Sequence, residues 1–155
     1  MANNIDARLQ ELGITIPDAP APAANYVPFT ISGNLVFVAG QVPFVDGKLT
    51  ATGHIGEDAS VEDGYEQARI CAINLIAQVK VACGGDLDRV RRVVKLGGFV
   101  ASAPDFTGQP GIVNGASDLM VEVFGDAGKH SRFAVGANAL PLGCLVEVDG
   151  IFEID

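Results

Sequence analysis

In the segment Ser131-Arg-Phe-Ala-Val-Gly-Ala137, an arginine stands inside a stretch otherwise suited to a β-strand. Side chains alternate along a strand, so Arg132, Ala134 and Gly136 share one face while Phe133, Val135 and Ala137 share the other. Two small residues beside a guanidinium leave an open floor under a planar fork of donors. Such a fork matches a carboxylate through two parallel hydrogen bonds. Glu147, in the largely apolar run from Cys144 to Ile154, is the acid to set against it. On the adjoining element it can orient a water, accept a proton, or pair with Arg132. A structural ion pair between Arg132 and Glu147 across two strands explains the same residues without any chemistry, because ion-pair networks imitate sites. Tyr26 and Asn114, taken alone, read as packing and local hydrogen-bonding residues.

Other chemistries find little support. There is no Gly-x-Gly-x-x-Gly fingerprint, no phosphate-binding loop and no Gly-x-Ser-x-Gly elbow. The two histidines, His54 and His130, lack zinc-ligand spacing, so no metal is expected. His130 reads as the solvent-facing start of the Arg132 strand. Cys71, Cys83 and Cys144 are scattered without a Cys-x-x-Cys pattern, which fits reduced core thiols.

Ten basic residues against nineteen acidic ones leave a net charge of −9. Phosphate backbones reward the opposite sign, so nucleic acid is a poor partner for this chain. The basic cluster Arg89, Arg91, Arg92 and Lys95 reads as a solvated strand or helix end. No apolar run approaches the roughly 18 residues of a membrane span. The opening residues lack the pattern of a signal peptide, which makes the cytoplasm the expected location.

The elements that must position these groups follow from periodicity. Ile5, Leu9 and Leu12 predict a short N-terminal helix stopped by Gly13, and Pro17, Pro20 and Pro22 an extended connector. Strands are expected over 26–32 and 35–40 around a Gly33-Asn34 turn, with Pro28 marking either an edge strand or a late start of the first. The polar stretch from Asp46 to Asp58 reads as a loop. Ser60 caps a long amphipathic helix that ends near Cys83 before Gly84-Gly85. A strand follows over 90–102, with a bulge or close approach at Gly97-Gly98. A turn-rich loop over 104–110 then leads to a second helix from Gly111 to Phe124. The last strands are 131–137 and 144–154. The order β-β-α-β-α-β-β implies an α+β fold, a mixed sheet with two helices on one face. The uncovered face carries apolar residues, so an oligomer should bury it.

These segments together resemble the RidA/YjgF family, also known as endoribonuclease L-PSP. The residues that carry the likeness are Ala24-Asn-Tyr-Val27, Val38-Ala-Gly-Gln-Val-Pro43, Phe99-Val100, Val113-Asn114, Ser131-Arg132, Leu140-Pro141 and Val146-Glu-Val148. The resemblance covers residues 21–155, with 1–20 as a separate helix and connector. It implies a chorismate-mutase-like fold and a homotrimer with clefts between subunits. It also implies hydrolysis of 2-imino acids to 2-keto acids and ammonia, without cofactor or metal. By position, Arg132 matches the arginine that holds the substrate carboxylate, and Glu147 the glutamate that positions water. Tyr26, Gly40, Gln41 and Asn114 match cleft-lining positions. Ala134 falls where the family often has cysteine, and Glu147-Val-Asp-Gly-Ile-Phe152 departs from the family's closing pattern, which marks a divergent branch. A non-catalytic module that binds a small carboxylate is the alternative from another class. The ribonuclease and translation-inhibitor readings fit the charge badly.

Overall fold

The computed structural model describes residues 4–22 and 24–155. Helix α1 spans Ile5–Leu12, capped by the Asn4 side chain and stopped by Gly13 at φ 68°. Helix α2, Val61–Ala82, begins with a reciprocal capping box between Ser60 and Asp63, which satisfies donors that the first turn would otherwise leave unpaired. Helix α3 spans Gln109–Phe124, with Pro110 in its first turn. It therefore starts two residues before the expected Gly111, because proline suits the first turn of a helix.

The strands are β1 (Phe29–Ser32), β2 (Leu35–Gln41), β3 (Phe44–Val45), β4 (Lys48–Leu49), β5 (Val90–Ala101), β6 (Ser131–Ala137) and β7 (Val146–Ile154). Five of them form one sheet in the order β1-β2-β7-β5-β6. β5 and β6 are parallel and joined through α3, while the other neighbours are antiparallel. The chain is thus α+β, a mixed sheet with α2 and α3 on one face. Two expectations need correction. β4 lies inside the stretch read as loop and pairs with β3 just before it in a small hairpin, with Asp46 and Gly47 both at positive φ, the geometry of a tight two-residue turn. The irregularities of β5 fall between Val90 and Lys95 rather than at Gly97-Gly98. Gly98 instead makes room for α3, since a Cβ there would lie 2.6 Å from Val113 Cγ1.

Register divides the sheet into two surfaces. Leu96 pairs with Gly150 and Arg132, and Val100 with Val146 and Gly136, all on the helix side. Val36, Val38, Val93, Leu96, Val146, Val148 and Phe152 pack there against Ala72, Leu75, Ile76, Val79, Ile112, Leu119 and Met120. Phe99 pairs with Glu147 and Val135 on the opposite side, where none of the described helices lies. Phe37, Phe99 and Val135 remain 39%, 38% and 42% exposed there. Among the described residues, no helix is long and apolar enough to cross a membrane.

Candidate functional site

The candidate residues fall into two groups. Tyr26, Gly40, Gln41 and Glu147 line one cavity of about 560 Å³, together with Pro20, Pro22, Val42, Phe44, Gln78 and Leu142. A one-residue bulge in β2 between Val38 and Gln41 shapes its floor. Bulges redirect a strand locally, here beside the acid. Gly40 sits in that bulge, and a Cβ on it would stand 2.6 Å from Glu147 Oε1. Only glycine leaves the carboxylate where it is. Burial raises the Glu147 carboxyl above its ordinary value, and the charge of Asp149 raises it further. Behind Glu147, the Cys71 and Cys144 sulfurs each lie 3.5 Å from the Val146 carbonyl oxygen. Burial holds both thiols in the protonated form, Cys144 up to about 11. All three cysteines are free and buried.

Arg132, Asn114 and Ala134 form the second group, at β6 and the start of α3. Arg132 Nη1 donates to Asn114 Oδ1 at 2.9 Å and to Ser117 Oγ at 3.1 Å, and Nη2 donates to the Pro110 carbonyl at 3.3 Å. A guanidinium has five N–H donors. Three are engaged, and among the described residues the Nε–H and one Nη2–H are not. These two nitrogens share one edge of the plane, the edge that grips a carboxylate side-on. Ala134 lies on the same face as Arg132, opposite Gly98.

The ion pair considered between Arg132 and Glu147 does not form. β5 lies between β6 and β7, so the two residues are not on adjoining strands. Register also puts them on opposite faces: Arg132 is level with Leu96, Glu147 with Phe99. One chain therefore presents the acid in a cavity on one side and the guanidinium against α3 on the other.

Several contributors were hidden from the sequence. His130 is partly buried rather than solvent-facing, with Nε2 2.8 Å from Ser117 Oγ and Nδ1 2.6 Å from the Gly128 carbonyl oxygen. The Pro110 carbonyl comes from the segment read as a turn-rich loop. Gln78, fully inside α2, donates to the Pro20 carbonyl at 2.7 Å and ties the connector to the cavity wall. A glutamine in the apolar stripe of α2 was the available signal, because a buried amide needs partners. His54 engages the Asn138 carbonyl. The described residues hold no group of three or more His, Cys, Asp or Glu side chains suited to a metal ion.

A five-stranded mixed sheet with two helices on one face is the chorismate-mutase-like arrangement. The chain belongs to the YjgF family: the family model described as "YjgF/chorismate mutase-like, putative endoribonuclease" matches residues 6–154. Protein TCP17 of Trypanosoma cruzi is 47% identical over 155 residues, covering 99% of this chain and 96% of that protein. The crystal structure of protein Atu1372 from Agrobacterium tumefaciens superposes with a TM-score of 0.91 at 52% identity, covering 97% of this chain and 92% of that one. A structure from Shewanella oneidensis MR-1 that carries the endoribonuclease name has a TM-score of 0.94 at 36% identity, covering 98% and 100%.

Proposed function

We propose that the protein hydrolyses 2-imino acids to 2-keto acids and ammonia, in clefts between the subunits of a cytoplasmic homotrimer. Arg132 of one subunit holds the substrate carboxylate, and Glu147 of the next orients the attacking water. Asn114 and Ala134 shape the arginine half of the cleft; Tyr26, Gly40 and Gln41 shape the acid half. The observation that carries this reading is the separation itself. A cation whose Nε–H and one Nη2–H are unengaged among the described residues and a partly desolvated acid stand on opposite faces of one chain, beside an apolar face that none of the described helices covers, and a second copy can bring them together.

The chemistry is balanced. An iminium carbon is electrophilic, so water attack needs mainly a held carboxylate and an oriented nucleophile. Glu147 takes a proton from the water as the C–O bond forms. It returns that proton to the nitrogen of the tetrahedral intermediate; the C–N bond then breaks as the C=O bond forms, and the hydroxyl proton passes by way of Glu147 to the departing ammonia, which leaves as ammonium. A carboxyl with a raised pKa suits both directions of transfer. RNA cleavage finds less support: the chain carries a net charge of −9, and both histidines are engaged away from the cavity.

An amino acid oxidase can generate 2-iminobutanoate in situ, with semicarbazide trapping what remains. Wild type should accelerate imine loss, while Arg132→Ala and Glu147→Gln should each lose about a hundredfold or more. Co-expressing the two variants should restore up to about a quarter of wild-type activity, because random assembly of a ring rebuilds intact clefts at that frequency. Absence of complementation, with each variant folded and assembled, would rule out a shared site. No turnover on several imino acids, with Arg132-dependent binding of 2-ketobutyrate, would establish a binding module instead.

A further inference from the structure

Arg132 is held by a hydrogen-bonded chain whose direction can be assigned. His130 Nδ1 lies 2.6 Å from the Gly128 carbonyl oxygen. A carbonyl oxygen only accepts, so Nδ1 carries the proton, and in the neutral ring Nε2 carries the lone pair. Nε2 lies 2.8 Å from Ser117 Oγ, so the hydroxyl donates to it. The oxygen of that hydroxyl is then left to accept from Arg132 Nη1 at 3.1 Å. Every donor points the same way, from Arg132 to Ser117, to His130, to the Gly128 carbonyl. Bonds aligned in this sense reinforce one another.

The consequence falls on the guanidinium. With Asn114 taking the second Nη1 hydrogen at 2.9 Å, Nη1 is fully committed to α3. Nη2 also donates to the Pro110 carbonyl in the first turn of α3, so the Nε–H and the second Nη2–H are the donors left unengaged among the described residues. Were the Ser117 proton not taken up by His130, the hydroxyl could rotate its hydrogen toward the cation. Ser117 lies on α3 and His130 immediately before β6, and among the described contacts the Ser117 hydroxyl is what joins the ring to the guanidinium.

We infer that Ser117 and His130 are positioning residues, a relay that fixes which edge of Arg132 faces the substrate carboxylate. The inference rests on the carboxylate-binding role proposed for Arg132. Neither residue touches substrate. Their loss acts on ligand capture more than on the chemical step.

The test titrates 2-ketobutyrate by calorimetry and measures kcat and KM for 2-iminobutanoate. The proteins are wild type, Arg132→Ala, Ser117→Ala, His130→Phe, His130→Gln and the Ser117→Ala/His130→Phe double variant. Ser117→Ala and His130→Phe should each raise Kd and KM about tenfold, with kcat changed less than about threefold, as expected for losing one charge-assisted hydrogen bond. The double variant should be no worse than Ser117→Ala by more than about twofold, because His130 acts only through the hydroxyl. His130→Gln, which keeps an acceptor near the place of Nε2, should recover most of the affinity. Should His130→Phe fail to fold, His130→Ala takes its place. Wild-type affinity in Ser117→Ala and His130→Phe with lowered Tm would make the chain a mere clamp between α3 and β6 and overturn the relay. Multiplicative losses in the double variant would overturn it too. If Arg132→Ala itself binds like wild type, the role of Arg132 falls; if only Arg132→Ala loses binding, the relay alone falls.

Discussion

Glu147 is kept above the ordinary carboxylate range first by burial and then by Asp149, two residues along the same strand. An acid whose pKa is raised on folding keeps its proton to higher pH in the native state than in the unfolded chain. Stability therefore falls as pH rises from the unfolded value, about 4.3 for glutamate, through the raised native value, and stays lowered above it. Glu147→Gln removes the ionisable group. We expect the variant to melt above wild type at pH 8 and the two to converge as the buffer approaches about pH 4, while activity is lost. Thermal melts across that range read the difference, and a gap independent of pH would show that the ionised carboxylate is not its source. Arg132 and Glu147 were legible in the sequence because each is a charge inside an apolar strand pattern. Ser117 and His130 were not. Their meaning depends on α3 lying against β6, and nothing in spacing says that a serine on one turn of a helix meets a histidine 13 residues later.

At the scale of elements, local chemistry was readable and long-range order was not. α1 and the start of α2 carry their stops and caps in their own residues: Asn4, Gly13, and Ser60 with Asp63. The hairpin of β3 and β4 has such a signal too, in Asp46-Gly47, but its strands are too short to show an alternating pattern. Strand order is different. β7, last in sequence, lies between β2 and β5, and β5 in turn lies between β7 and β6, which separates Arg132 from Glu147. The connector after α1 shows how a distant element reaches the cavity. α1 buries Ile5 and Leu9, Arg8 Nε donates to the Glu122 carbonyl at 2.7 Å, and Pro20 is received by Gln78. Replacing Gln78 by Leu removes the donor and leaves the Pro20 carbonyl unmatched, at about 1–2 kcal/mol. The expected result is faster amide exchange across residues 14–22 and weaker ligand retention, with α2 intact by circular dichroism. Unchanged exchange would mean that packing of Ile14 and Ile16 alone holds the connector.

The whole molecule shows one finished face and one unfinished. Helices cover the first; the second presents Phe37, Phe99 and Val135 with half-buried Phe133, whose ring meets Phe99 edge-on at 5.3 Å. Two aromatic rings meeting edge to face form a firm apolar surface, which the proposed assembly would cover. Val135→Asp would set a charge in that surface without touching the core. Light scattering should then report a smaller species, and activity should fall about a hundredfold or more because the proposed clefts are lost. A variant that keeps its assembly and its turnover would place the subunit contact elsewhere. Apolar residues on both sides of the last strand pointed to this face in the sequence; the number of copies in the proposed assembly was not readable, since alternation says nothing about symmetry.

The sheet is also a partition. Because side chains alternate, a residue changes face only if its strand slips by one position, and such a slip in β6 would also turn Ala134 and Gly136 outward and Phe133 and Val135 toward the helices. No hinge, lid or rotamer change does this. The distance between cation and acid is therefore not a resting-state feature that binding could relax. It is set by parity, an odd position on one strand and an even one on another, and persists in every conformation that keeps the register.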